Sequence, residues 1–219
     1  MLLDRQRVKF WQKWVFGFMA LIMAGFLIMI PINRSMGCGG SSATDKLATS
    51  EIAKYSAAVK ADPKNAAAWR SLGENYLVRA NQQTSQQASL TAAQKADYAA
   101  AAASYEKAVK LLSKHKGKVA RQERLGALDQ LITVYLTLKD YSMATSTYGR
   151  ITALRPKDSE AFFNMATAAI SAGDTNAALL AFGKFLELAP DSPDAATVRA
   201  WIKEHTPKAS PSPTKGTGQ

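Results

Sequence analysis

The side chains of this 219-residue chain that invite a chemical reading are two histidines, one cysteine and a run of lysines and arginines. A metal centre needs His, Cys or carboxylate ligands at short regular spacing, and a nucleophile needs a base beside it. His115 and His205 stand at no such spacing from each other, from Cys38 or from a carboxylate. No G-x-S-x-G elbow and no phosphate-cradling glycine loop occurs. A lone surface histidine accounts for both positions, so the chain reads as a non-enzyme without metal or cofactor. Its single cysteine also forbids an internal disulfide framework.

Charge is the stronger signal. The net charge is +11, and its densest segment runs through Lys107, Lys110, Lys114, Lys116, Lys118, Arg121 and Arg124, opposed by Glu106 and Glu123. Such a patch can face anionic lipid head groups, a polyanionic wall polymer or an acidic partner. No stacking or groove-reading residues are interleaved with it, so nucleic acid is not expected. The default reading is a solvated helix end and loop.

The elements that position these residues repeat. Ser159–Ser192 aligns without a gap on Leu125–Asp158, placing Phe162 under Leu128, Met165 under Leu131, Ala178 under Ala144, Phe182 under Tyr148 and Pro190 under Pro156. A period of this size signals a helix–turn–helix unit. Residues 162, 165, 166 and 169 make one apolar helical stripe, and Ala178, Phe182 and Phe185 a second after the break at Gly173-Asp174. Pro190 ends the unit because proline cannot continue a helix.

An earlier copy carries Trp69, Leu72, Gly73 and Tyr76, then Ala101, Tyr105 and Ala108. Together these residues resemble the tetratricopeptide (TPR) pattern W-x2-L-G-x2-Y followed by Ala, an aromatic, a small residue and Pro. The first copy holds an insertion within residues 81–95. The later copies place Ile132 at the Gly position, Ala169 at the Tyr position, and Ile151 and Phe185 at the small one. The resemblance covers residues 45–205. It implies an all-α solenoid of helical hairpins, about three repeats near 66–112, 125–158 and 159–192. Asp45–Ala61 reads as a lone helix under the first repeat, and 194–205 as the capping helix that closes the core. The insertion either lengthens the second helix backwards from Asp97 or projects as a loop, with a neutral surface excursion preferred over a binding role.

The flanks differ in kind. Arg5, Arg7, Lys9 and Lys13 precede an uncharged apolar run over residues 14–32. A helix of that length would reach roughly 28 Å, close to the hydrocarbon thickness of a bilayer. Trp11 and Trp14 sit at the level of an interfacial belt, and the basic residues before the run predict that 1–13 stay in the cytoplasm. The expectation is a single-pass cytoplasmic-membrane protein with the repeats outside the cytoplasm. A cleaved signal peptide ranks behind the anchor, since no A-x-A site follows. Lipidation of Cys38 ranks third, on Gly-Cys followed by small residues. Residues 33–44 read as a flexible Gly/Ser linker and 206–219 as a disordered tail.

Function then rests on the surface of the stack. TPR proteins bind peptides or partner proteins along a groove lined by the first helix of each repeat. The resemblance therefore places Arg70, Ser71, Glu74, Asp129, Gln130, Thr133, Phe163, Asn164 and Thr167 toward a partner, with Phe163 as an exposed aromatic. Of the carboxylate clamp known in one subfamily only Arg70 matches, and Glu74 stands where Asn is wanted. The layout resembles bacterial membrane-anchored TPR proteins, which implies a scaffold in envelope assembly, secretion or client chaperoning. The alternative is an electrostatic tether through Lys110, Lys114, Lys116, Lys118, Arg121 and Arg124.

Overall fold

In a computed structural model of the chain the described residues are 43–82 and 89–206. They form eight α-helices and, among these residues, no strand. The helices are α1 (Ala43–Ala61), α2 (Ala66–Gln82), α3 (Ala92–Leu112), α4 (Lys118–Thr137), α5 (Tyr141–Leu154), α6 (Ser159–Ser171), α7 (Thr175–Leu188) and α8 (Ala195–His205). No helix among them is long and apolar enough to cross a membrane. The predicted span at 14–32, its flank 1–13, residues 33–42 of the predicted linker and the tail beyond 206 lie outside the described residues, while the last two residues of the 33–44 linker already belong to α1.

The hairpin turns explain why the chain reverses where it does. Asp140 and Asp174 each accept a hydrogen bond from the backbone N–H three residues on, Met143 and Ala177. This meets an orphan donor of the new helix, α5 or α7. The backbone N–H groups of the same two aspartates donate back to Tyr135 and Ala169, at 2.8 and 2.9 Å. Between helix end and cap sits one left-handed residue, Gly173 (φ 78°) in one hairpin and Lys139 (φ 58°) in the other. Glycine adopts that conformation without steric cost, whereas lysine is strained there. Asp158 caps α6 in the same way through Ala161. Thr91 and Gln94 form a reciprocal capping box at α3.

Each helix packs mainly on its immediate neighbours in the chain, so the stack is quasi-one-dimensional. Its apolar interior divides into three clusters. The central one joins α2 to α6 around Tyr105, Leu128, Leu131, Val134 and Ala144. A C-terminal one joins α6, α7 and α8 around Phe182, Phe185 and Val198, and an N-terminal one joins α1 to α2 around Ile52, Val59 and Leu72. Tyr76 packs against both the N-terminal and the central cluster.

The insertion falls between α2 and α3. The described part shows α2 continuing to Gln82 and α3 starting at Ala92, ahead of Asp97. Arg79 of α2 pairs in a fork with the buried Asp97 carboxylate at 2.5 and 2.9 Å, a geometry that fixes orientation as well as charge.

Candidate functional site

The first helices of the three hairpins are α2, α4 and α6, and the residues expected to meet a partner lie on them. Asp129 of α4 and Asn164 of α6 come together in one shallow pocket of about 190 Å³. Tyr148, Arg155, Asp158 and Glu160 complete its polar lining. Arg155 and Asp158 stand 3.7 Å apart across the turn between α5 and α6. Partial enclosure raises the Asp129 carboxyl above its ordinary value of 3.8, Arg155 pulls it down and Asp158 pushes it up again. The same surroundings raise the Tyr148 phenol, first by burial and then by the Asp129 and Glu160 charges. An acidic, half-enclosed patch with one arginine suits a cationic or amide-bearing group on a partner.

Further along, Arg70 of α2 reaches Glu123 of α4 at 3.9 Å, a solvent-exposed pair that contributes little stability. Glu74 is exposed one turn beyond Arg70. The buried Tyr105 phenol behind them is pushed up to about 12, chiefly by burial and then by Glu74, while Arg70 opposes the rise. Gln130, Thr133 and Thr167 are exposed. The two threonine hydroxyls donate to their own helices, at the Asp129 and Phe163 carbonyls, and are satisfied without a partner.

Phe163 is a correction. It is half-buried rather than exposed, its ring centroid 5.7 Å from that of Phe182 and 5.2 Å from that of Phe185. Tilted rings at these distances are ordinary core packing. Phe163 helps hold α6 on α7 and is withdrawn from the candidate surface.

The basic segment is gathered around two adjoining recesses. One, of about 500 Å³, lies between α3, α4 and α5; Lys110, Arg124 and Arg150 line it with Glu106, Val109, Ser113, Leu128, Ala153 and Leu154. The second, of about 440 Å³, is lined by Lys116, Lys118, Arg121 and Arg124 with Ser113, His115 and Gly117. Lys114 is exposed beside them at the end of α3. Glu106 accepts from Arg150 at 2.7 Å and from the Tyr135 hydroxyl at 3.4 Å. Burial and that carboxylate push the Tyr135 phenol up to about 12. Arg121 donates to the Leu154 carbonyl at the end of α5.

Residues 159–192, the α6–α7 hairpin with its following turn, match the tetratricopeptide repeat family model. No curated protein matches the sequence. Among solved structures the chain is similar to YrrB, described as a TPR protein with an unusual peptide-binding site, at 22% identity and TM-score 0.45 over 74% of this chain and 72% of that one. It is similar to MamA at 17% identity and TM-score 0.40, over 76% and 94% of the two chains. A third is the APC/C hetero-tetramer Cut9–Hcn1, at 13% identity and TM-score 0.38 over 74% and 40%. Likeness at this level says nothing of what the present chain binds.

Proposed function

We propose that this chain is a tetratricopeptide-repeat scaffold that holds a segment of a partner protein on the surface of α2, α4 and α6 and does no catalysis. The observation that carries the reading is the pocket at Asp129. Residues from α4, from the α5–α6 turn and from α6 converge there on accessible polar groups, and they include an aspartate whose ionisation the fold opposes. Polar groups that three elements present on an open pocket are available to a partner segment. The family match of the α6–α7 hairpin supports protein or peptide binding as the class of function.

Residues 14–32 are proposed to anchor the scaffold in a membrane, with 1–13 in the cytoplasm and the repeats outside it, where the partner belongs to envelope assembly, secretion or client chaperoning. Supporting this is the uncharged apolar run behind four basic residues. Cys38 follows the run closely, so a membrane-impermeant maleimide reports the topology. Labelling in intact cells supports an external domain; labelling only after lysis reverses it.

The groove is tested by charge reversal. Asp129→Lys with Glu160→Lys is expected to abolish recovery of partners cross-linked to the native chain while leaving the melting curve intact. Unchanged recovery moves the interface off α4 and α6.

A further inference from the structure

The start of α4 is built unlike that of the other two first helices. α2 and α6 begin where their repeats begin, each behind a side-chain cap: Asn65 accepts from the Ala68 N–H at 2.9 Å and Asp158 from the Ala161 N–H at 3.1 Å. α4 begins at Lys118, upstream of Leu125, the first residue of its repeat. Its entry, Gly117, has a left-handed φ of 116° and supplies no side-chain cap. Its first turn holds Lys118 and Arg121 and no acid, which sets cations at the positive end of the helix dipole.

Burial does not offset these features. None of residues 118–124 is buried, Val119 is 74% exposed, and the first buried residue of α4 is Leu125. Within the extension one atom is shut off from solvent, Arg124 Nε, and among the described residues it has no hydrogen-bond partner. A buried donor left unpaired opposes the conformation that buries it. Two tethers act the other way. Arg121 donates to the Leu154 carbonyl at the end of α5, and Glu123 faces Arg70 of α2 at 3.9 Å. Leu154 is followed directly by Arg155, which lines the pocket at Asp129. The turn that carries Arg155 and Asp158 is closed by backbone bonds, from Arg155 N–H to Ile151 at 2.8 Å and from Asp158 N–H to Arg155 at 3.1 Å.

We propose that residues 118–124 are a conformational switch, winding into helix and unwinding to coil while the repeat from Leu125 onward stays folded, with ionic strength setting the balance. The wound form holds the end of α5 and, through it, the turn that brings Arg155 and Asp158 to the pocket; this regulatory half rests on the groove reading. Unwinding returns Arg124 to water, releases the Arg121 tether and loosens that turn. The sign of the bias follows from charge. Lys116, Lys118, Arg121 and Arg124 oppose one another and the helix end, and salt screens both effects, so salt favours winding. The start of α6 is the reverse case: Asp158 and Glu160 favour the helix there, and salt weakens their help.

Hydrogen exchange of the full-length chain in neutral detergent, without any partner, tests the switch. Amides of residues 121–125 are expected to exchange at least roughly tenfold faster than those of 131–135, which wait for larger openings. Raising the salt from about 0.01 M to about 1 M shortens the screening length from about 30 Å to about 3 Å. Exchange at 121–125 should then slow, while exchange at 162–166 of α6 should not. Arg124→Met removes the unpaired donor and one cation, and should slow 121–125 roughly tenfold. The amides of 155 and 158 should slow with them. Protection at 121–125 equal to that at 131–135, or exchange there that quickens with salt, would overturn the switch. Slowing at 121–125 with no change at 155 and 158 would overturn its coupling to the pocket. If Arg124→Met does not fold, Lys118→Glu carries the same expectations, since it puts an acid in the first turn at an exposed position. Unchanged exchange in that variant refutes the bias by charge. A groove that holds no partner would leave the winding equilibrium standing, because no partner enters the assay.

Discussion

Replacing Gly73 by alanine sets two effects of known sign against each other. Gly73 lies inside α2, where alanine is favoured over glycine by about 1 kcal/mol. An added Cβ would stand 3.1 Å from two ring carbons of Tyr105 and 3.2 Å from the carbonyl oxygen of Ala101. The ring cannot swing away, because Tyr105 is 3% exposed and its neighbours Ala101 and Ala108 are completely buried. The carbonyl belongs to the body of α3. Overpacking of this kind costs about 1–3 kcal/mol, so the net expectation is a loss of about 1 kcal/mol. Gly126 in α4 and Gly183 in α7 supply the control, since a Cβ at either meets nothing within 4 Å. There only propensity acts, and alanine should stabilise by roughly 0.5–1 kcal/mol. Urea unfolding followed by circular dichroism reads the difference as opposite shifts in midpoint at constant slope. A Gly73→Ala variant as stable as the two controls would refute the close approach of α2 to α3.

Phe163→Ala should cost about 2–3 kcal/mol, below the full value for a buried phenylalanine because this ring is half-buried, and calorimetry of the intact chain checks it. A variant of native stability that had lost its partner would restore Phe163 to the interface. Asp129→Asn tests the sign of a titration. The folded carboxyl lies above 3.8, so the stability tied to Asp129 is complete below that pH and is lost as pH rises through the folded value. Asparagine removes that loss: the variant should be the more stable at neutral pH, by roughly a few tenths of a kcal/mol because solvent screens the group. Melting curves of the two proteins should coincide below pH 3.8; a variant less stable at neutral pH would show that the carboxylate is a structural partner.

The architecture was readable because it repeats. Lys139 and Gly173 occupy equivalent places in the ungapped alignment, and so do Asp140 and Asp174; in the structure each pair makes the same turn and cap. Phe163 was misplaced for a definable reason. The resemblance carried Phe163 to the partner side of α6, and helical periodicity left it out of the core stripe at residues 162, 165, 166 and 169. The rings of Phe182 and Phe185 reach it from the next helix, a distance no single-helix pattern records. Arg155 and Asp158 flank Pro156 at the end of a repeat, where the cap that Asp158 makes for α6 hides its second place beside Asp129. The recess at Arg124 was hidden because the basic segment through Lys118, Arg121 and Arg124 was read as a solvated helix end and loop. In the structure these residues are helical and carry α4 upstream of the repeat, which brings Arg124 against α3 and α5.

The division of the interior into clusters has a consequence for how the stack comes apart. The central and C-terminal clusters have no residue in common, and α6 alone serves both, with Ala161 and Ala168 in one and Ala166 in the other. The last hairpin can therefore open without emptying the centre, at a free energy of its own. Backbone amides of α7 and α8 would exchange with deuterium through that partial opening, while those at the middle of α4 wait for global unfolding. A partner bridging α4 and α6 would clamp the boundary between the two regimes. Slower exchange in α7, a helix it need not touch, would then be the trace of its binding.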